Sequence, residues 1–219
     1  MISTNPQPKE LGQLDVDFRD VNLPAILEPE TELYPISSGF NSAAYRVTVN
    51  GDFVLKVGKA YGTEDEITSL KKTMEEEHML IEDFVGYAIP DTYYAIAPGK
   101  TRPDTNRVLQ LQKYVDGQPL HDAIEDNTAD LTEIVSFFED ALRMYRITYK
   151  IPDLANIQER FRPVTNSNVL VTSNGSESRP SPNLTDTHFG KIQRSKILGP
   201  IWSMAIALGV KSFIEHIDA

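Results

Sequence analysis

The sequence predicts an α+β protein built in two lobes, a β-rich first lobe and a smaller helical second lobe. Three observations carry that expectation. Period-2 apolar patterns crowd the first half, 3.6-period patterns dominate the second, and the polar stretch DGQPL, Asp116 to Leu120, reads as a linker between them. On this reading residues 1–30 form an N-terminal arm, 31–115 the β-rich lobe, and 116–219 a shortened helical lobe that also carries a strand hairpin.

The arm has scattered prolines and acids and is expected to lie on the first lobe. After it, YPIS opens the strand region at Tyr34. Tyr45, Val47 and Val49 alternate, Asn50-Gly51 marks a hairpin turn, and FVLKV, Phe53 to Val57, continues as the third strand. From Glu64 to Val85 apolar residues recur at Ile67, Leu70, Met74, Ile81 and Phe84, a helical period interrupted at Glu77. Pro90 closes that run. DTYYAIA and RVLQLQKYV then read as two strands about the turn PGKTRPDTN. In the second lobe a strong helix presents Leu131, Ile134, Val135, Phe138, Leu142 and Tyr145 on one face. A shorter stripe of Leu154, Ile157 and Phe161 follows Asp153. The strand NVLV, a Gly/Ser/Pro-rich loop, the strand NLT, the basic segment KIQRSK and a helix bearing Trp202, Leu208, Phe213 and Ile217 come next.

Composition narrows the function classes. The 219 residues are 40% hydrophobic, enough for a packed core. A net charge of -11, from 21 basic against 32 acidic residues, argues against a nucleic-acid surface, which needs a dense positive patch. With no cysteine, disulfides, thiolate nucleophiles and Cys-bound metal sites are excluded. The polar start MISTNPQPKELG carries no apolar signal segment, and the uncharged run Ile197 to Val210 is too short to span a bilayer. A cytoplasmic protein without membrane or nucleic-acid partners is the expectation.

The chemistry-bearing pattern is FRPVTNSNVLV, Phe161 to Val171, followed after the loop by NLTD ending at Asp186. It reads as a strand-loop-strand pair carrying two oxygen ligands, Asn168 and Asp186. Such a pair suits magnesium, which takes few protein carboxylates and fills its shell with phosphate oxygens and water. Upstream, Lys56 stands on the third strand. Glu77 comes three residues after Met74 and four before Ile81, in the middle of the helix stripe that faces the sheet. A carboxylate there must be paired to be tolerated, and Lys56 is the natural partner. Glu75 and Glu76 fall off the stripe and are expected to face solvent. Gly39 lies within ISSGFNSAAY, Ile36 to Tyr45, which by itself reads as a hairpin turn.

A β-rich lobe, a linker and a helical lobe with this hairpin together resemble the protein kinase superfamily, closest in style to its small-molecule branch of aminoglycoside and choline phosphotransferases, over roughly residues 34 to 190. The resemblance implies a two-lobed protein-kinase-like fold that binds ATP and magnesium (Mg2+). It sets Gly39 in the glycine-rich loop, where it alone remains of the usual three glycines. Lys56 takes the place of the phosphate-binding lysine and Glu77 that of its ion-pair partner. The segment LQLQKYVDG, with Gln112 and Tyr114, takes the place of the hinge that contacts adenine through main chain. Asn168 and Asp186 fall on the two metal ligands.

The catalytic loop departs from the family. Phe161, Arg162 and Pro163 occupy the H-R-D positions and Thr165 the following lysine, so the place of the general base holds a side chain that accepts no proton. Thr187 and His188 follow Asp186 where protein kinases carry Phe and Gly, and no activation-loop APE motif follows. Asp153 reads as a helix N-cap, with a displaced catalytic base as the alternative. His188 beside the metal site is a second candidate base. Lys191, Arg194 and Lys196 form a basic segment, either solvated or turned to an acidic substrate. The expectation is an ATP-Mg2+ domain that is a degenerate or atypical kinase, a pseudokinase with weak or absent phosphotransfer. Two alternatives stand beside it. One is an active small-molecule phosphotransferase using Asp153, His188 or a water. The other is an interaction module that keeps the fold and binds a protein partner without nucleotide.

Overall fold

The computed structural model describes residues 8–19, 21, 23, 28–38, 42–48, 51–152, 154, 168–172, 181–185 and 199–217. The fold is α+β, and the chain divides into two compact units: residues 1–75 with 91–114, and residues 76–90 with 115–219.

The first unit holds an antiparallel sheet of β1 (Lys9–Glu10), β2 (Glu32–Ser38), β3 (Ser42–Thr48), β4 (Asp52–Gly58), β5 (Thr92–Pro98) and β6 (Asn106–Lys113), in the order β1-β2-β3-β4-β6-β5. Gly51 precedes β4 with a φ of 135°, a conformation that only glycine adopts cheaply. From there β3 and β4 pair without slippage, Tyr45 opposite Leu55 and Ala44 opposite Lys56. Strand alternation then divides the sheet into two faces. On one, Leu33, Val47, Leu55, Val57, Ala95, Ala97, Leu109 and Leu111 are buried together with Leu11 and Val16 of the arm. Leu14, Phe18, Val21 and Leu23 pack against the same cluster, so the arm is part of the core of this unit. Full burial of one such Leu or Val contributes about 1.5–3 kcal/mol.

Helix α1 (Glu64–Val85) has the bounds that the apolar period predicts. It starts with a capping box: the Thr63 amide donates to Glu66 Oε2 at 2.9 Å and the Glu66 amide donates to Thr63 Oγ1 at 3.4 Å. Glu64, Asp65 and Glu66 complement the positive end of the helix dipole. Ile67, Glu77, Ile81 and Val85 are buried.

In the second unit, Ile81, Val85 and Ala88 share one hydrophobic cluster with the helices that follow the linker, which is why residues 76–90 group here and not with the β-rich half. Its elements are β7 (Gln118–Pro119), α2 (Leu120–Glu125), α3 (Leu131–Thr148), β8 (Val169–Thr172), β9 (Ser181–Leu184) and α4 (Gly199–Ile217). The segment expected to be a plain linker contains β7, which pairs with β8, and β8 pairs in turn with β9.

Asp130 caps α3, its carboxylate accepting the amides of Thr132 at 3.0 Å and Glu133 at 3.4 Å. The helix buries Ile134, Phe137, Phe138, Ala141, Leu142 and Met144. Leu131, expected inside, is 43% exposed because it is the first helical residue, at the end of the buried stripe. Phe138 meets Phe213 of α4 edge to face, ring centroids 5.1 Å apart. On α4 the buried face runs through Ser203, Ile206, Ala207, Val210, Phe213 and Ile214, while Leu208 is 60% exposed. The α4 sequence is apolar nearly all round, so its period does not reveal which side meets the core. Among the described residues no helix is long and apolar enough to cross a membrane.

Candidate functional site

Lys56 is central in β4, flanked by Leu55 and Val57, whose side chains are buried on the arm-covered face. Alternation sends Lys56 to the other face, where it is half-buried. Pairing sets Ala44, Lys56, Gln110 and Tyr94 in one row across four strands, and Arg46, Val54, Gln112 and Thr92 in the next. Gln110 and Gln112 are 3% and 2% exposed, and the Gln112 carboxamide donates to Thr92 Oγ1 at 3.2 Å. The face of Lys56 therefore carries Arg46, Thr92, Gln110 and Gln112, whereas the arm-covered face is apolar.

Glu77 is 6% exposed on α1, a carboxylate in the interior of the apolar stripe as its spacing predicts. Glu76 is exposed, and Glu75 is half-exposed and pairs with Lys71 at 2.5 Å. One residue beyond Glu77, His78 has its imidazole pKa lowered by burial, with the Glu82 charge partly opposing.

The end of β6 is tied down differently from the sequence picture. Gln112 is in an interior strand, paired to Val54 on one side and Thr92 on the other, so its main chain is engaged in the sheet. The Tyr114 amide donates to the Asp52 carbonyl at 2.8 Å. The Tyr114 ring lies 4.1 Å beneath the Arg46 guanidinium, which in turn bonds Asp52 Oδ2 at 2.8 Å and lowers the pKa of that carboxyl. Gln112 is thus held by the sheet through its main chain and by Thr92 through its side chain, and the Tyr114 amide is taken by Asp52.

Asn168 precedes β8, and its carbonyl oxygen accepts both the Thr185 amide, at 2.7 Å, and the Thr185 hydroxyl, at 3.1 Å. These bonds continue the β8–β9 register, Val169 opposite Leu184, and close the open end of the hairpin one residue before Asp186 in the chain. Asp186, Gly39, Asp153 and His188 lie outside the described residues, as do Pro163 and Thr165. Among the described residues, no group of three or more His, Asp or Glu side chains is arranged to hold a metal ion.

Two features were not anticipated from sequence. One is the Asp52–Arg46–Tyr114 stack, which depends on the β3–β4 register. The other is a cluster at Asp15 of the arm, where Tyr61, Thr101 and Arg107 converge. A cavity of about 620 Å³ lies on the arm side of the sheet, lined by Leu11, Phe18, Val21, Leu23, Arg19 and Lys100 among others, and thus on the face opposite Lys56. No protein-family model matches this sequence, and no curated protein sequence is significantly similar to it.

Proposed function

We propose that this chain is a protein-kinase-like domain that binds ATP with Mg2+ in the cytoplasm and transfers phosphate slowly or not at all. The observation that carries this reading is the Asn168–Thr185 pair, which holds one candidate metal ligand beside the residue preceding the other. Two further observations support it. A lysine stands on the third strand of the β2–β3–β4 meander, and the helix that follows buries a carboxylate at Glu77. In protein kinases the phosphate-binding lysine and its glutamate occupy such a strand and helix.

Each residue has a definable task on this reading. Lys56 offers a cation to the α and β phosphates, and Glu77 is assigned the carboxylate role that the protein kinase pattern gives to this helix. The Asn168 carboxamide and the Asp186 carboxylate are oxygen donors of the kind Mg2+ takes, and that ion when bound would offset the triphosphate charge. Gly39 is assigned to the phosphate-covering turn. The strand end of Gln112 and Tyr114 is assigned to the base, with the Tyr114 carbonyl as the main-chain group it offers.

Pro163 in the place of the general base is what makes the transfer slow. A positioned base contributes on the order of 10² to 10⁴ in rate, whereas most catalysis of phosphoryl transfer is positioning and electrostatics. Binding can therefore persist where turnover has been lost. The test is a melting-temperature titration with ATP in the presence of Mg2+. The wild-type chain should be stabilised, and Asp186→Ala should abolish most of that shift, because it removes the single carboxylate of the proposed metal set. An equal shift in both proteins would show that nucleotide binds elsewhere.

A further inference from the structure

Three segments of the first unit meet at one carboxylate. Asp15, in the arm, accepts the Thr101 amide through Oδ1 at 2.7 Å and the Tyr61 hydroxyl through Oδ2 at 2.7 Å. The Arg107 guanidinium lies 3.7 Å from Oδ2 and also donates to the carbonyl of Gly58, the last residue of β4, at 3.4 Å. Arg107 and Arg102 both lie over the Tyr61 ring, 3.6 Å and 5.1 Å from its centroid. The β5–β6 turn grips the arm on either side of this point. Lys100 donates to the Gly12 carbonyl at 2.6 Å, and Pro98 accepts the Asp17 amide at 2.8 Å.

Tyr61 occupies a sensitive place in the chain. It lies between β4, the strand of Lys56, and Thr63, the capping residue of α1. Gly62, between them, exchanges backbone hydrogen bonds with Asn106 at 3.2 Å and 2.8 Å, so residues 61–63 fix where the helix begins. A covering segment would need only the apolar contacts of Leu11, Val16 and their neighbours. Those contacts involve no bond to the 59–63 loop, yet the arm makes one, from a charged acceptor, across 46 positions of sequence.

We infer that the N-terminal arm is a strap that sets the first turn of α1, with Tyr61 as the positioning residue through which arm docking reaches that helix. Whatever lifts the arm then loosens the loop between the Lys56 strand and α1, and whatever orders that loop favours the docked arm. Such reciprocity is required of any two coupled local equilibria. The inference stands independently of any nucleotide.

Hydrogen exchange read peptide by peptide on the full chain tests it. Tyr61→Phe keeps the ring that the two guanidiniums lie over and deletes the bond to Asp15. It should raise exchange by about fivefold or more both in the arm, residues 10–17, and at the helix start, residues 60–67, with α3 unchanged. Asp15→Ala should give the same pattern, and adding Tyr61→Phe to it should change little, because the bond to Tyr61 is then already lost. Faster exchange confined to the arm would overturn the inference, since the helix would then not sense the strap. A uniform rise that includes α3 would overturn it equally, as a general loss of stability.

Discussion

The Thr185 amide donates to the Asn168 carbonyl at 2.7 Å, and the Thr185 hydroxyl reaches the same oxygen at 3.1 Å. Two positions far apart in sequence are thereby joined at the mouth of a short hairpin, whose register runs Val169–Leu184, Leu170–Asn183, Val171–Pro182 and Thr172–Ser181. The hairpin matters because the residues at its mouth are those that the proposed function uses.

Its support comes from the segment preceding α2, and that support can be broken by one methyl group. A Cβ on Gly117 would stand 3.0 Å from both Leu170 Cβ and the Val171 carbonyl oxygen, contacts that the paired β7 and β8 strands cannot relieve separately. Gly117→Ala should therefore cost about 1–3 kcal/mol, the range for overpacking. Urea unfolding should show a lower midpoint with an unchanged slope.

Much of this architecture is legible in sequence, for identifiable reasons. The strands β3 to β6 and the helix α1 are long, periodic and bounded by Gly51, Thr63 and Pro90, so pattern alone finds them. Glu77 is equally legible, because a single carboxylate on an apolar stripe stands out against its neighbours. The misses fall where pattern carries no phase. The helix α4 is apolar on several sides, so its period does not single out the buried face through Ser203 and Val210 from the side where Leu208 is exposed. Gln118 and Pro119 read as linker because two residues are too few for a period, and only their partner β8 makes them a strand. The engagement of the Tyr114 amide by Asp52 and the convergence on Asp15 depend on register and on the path of the arm, which local composition does not encode.

Asp130 offers a local test of the second unit. Its carboxylate accepts two amides at the start of α3, and the helix leaves those donors without it. Asp130→Ala should lower stability by about 1 kcal/mol, as for other N-caps, while Asp130→Ser should retain most of it. Thermal unfolding of the two variants side by side distinguishes loss of the cap from loss of the charge.

The Asp15 cluster predicts a pH dependence with a definite sign. The Thr101 hydrogen bond, aided by Arg107 and Arg102, holds the Asp15 carboxyl below the usual carboxylate range. A carboxyl with a depressed folded-state pKa contributes stability above its unfolded value, near 4, and that contribution is lost as pH falls through the folded value. Wild type and Asp15→Asn should therefore differ most in urea midpoint near neutral pH and converge as pH falls through the folded value. A difference independent of pH would show that Asp15 acts through shape and not through charge.

Catalysis is predicted to be poor. If, as proposed, Pro163 and Thr165 take the places of the base and the lysine, ATP turnover on generic protein substrates should be slow or absent. Pro163→Asp should fail to restore it, since Thr165 stays uncharged. Rapid turnover of a small molecule would instead require a displaced base, and Asp153→Asn should then cut the rate at least about tenfold without weakening nucleotide binding. Efficient phosphorylation of protein substrates by the unaltered chain would contradict the degenerate reading.

Calorimetric titration of the full chain with ATP, with and without Mg2+, tests the proposed binding most directly. The account predicts one site whose affinity falls at least about tenfold when Mg2+ is withheld, and falls comparably in Lys56→Ala. Absence of binding at millimolar ATP, or binding indifferent to both Mg2+ and Lys56, would contradict it.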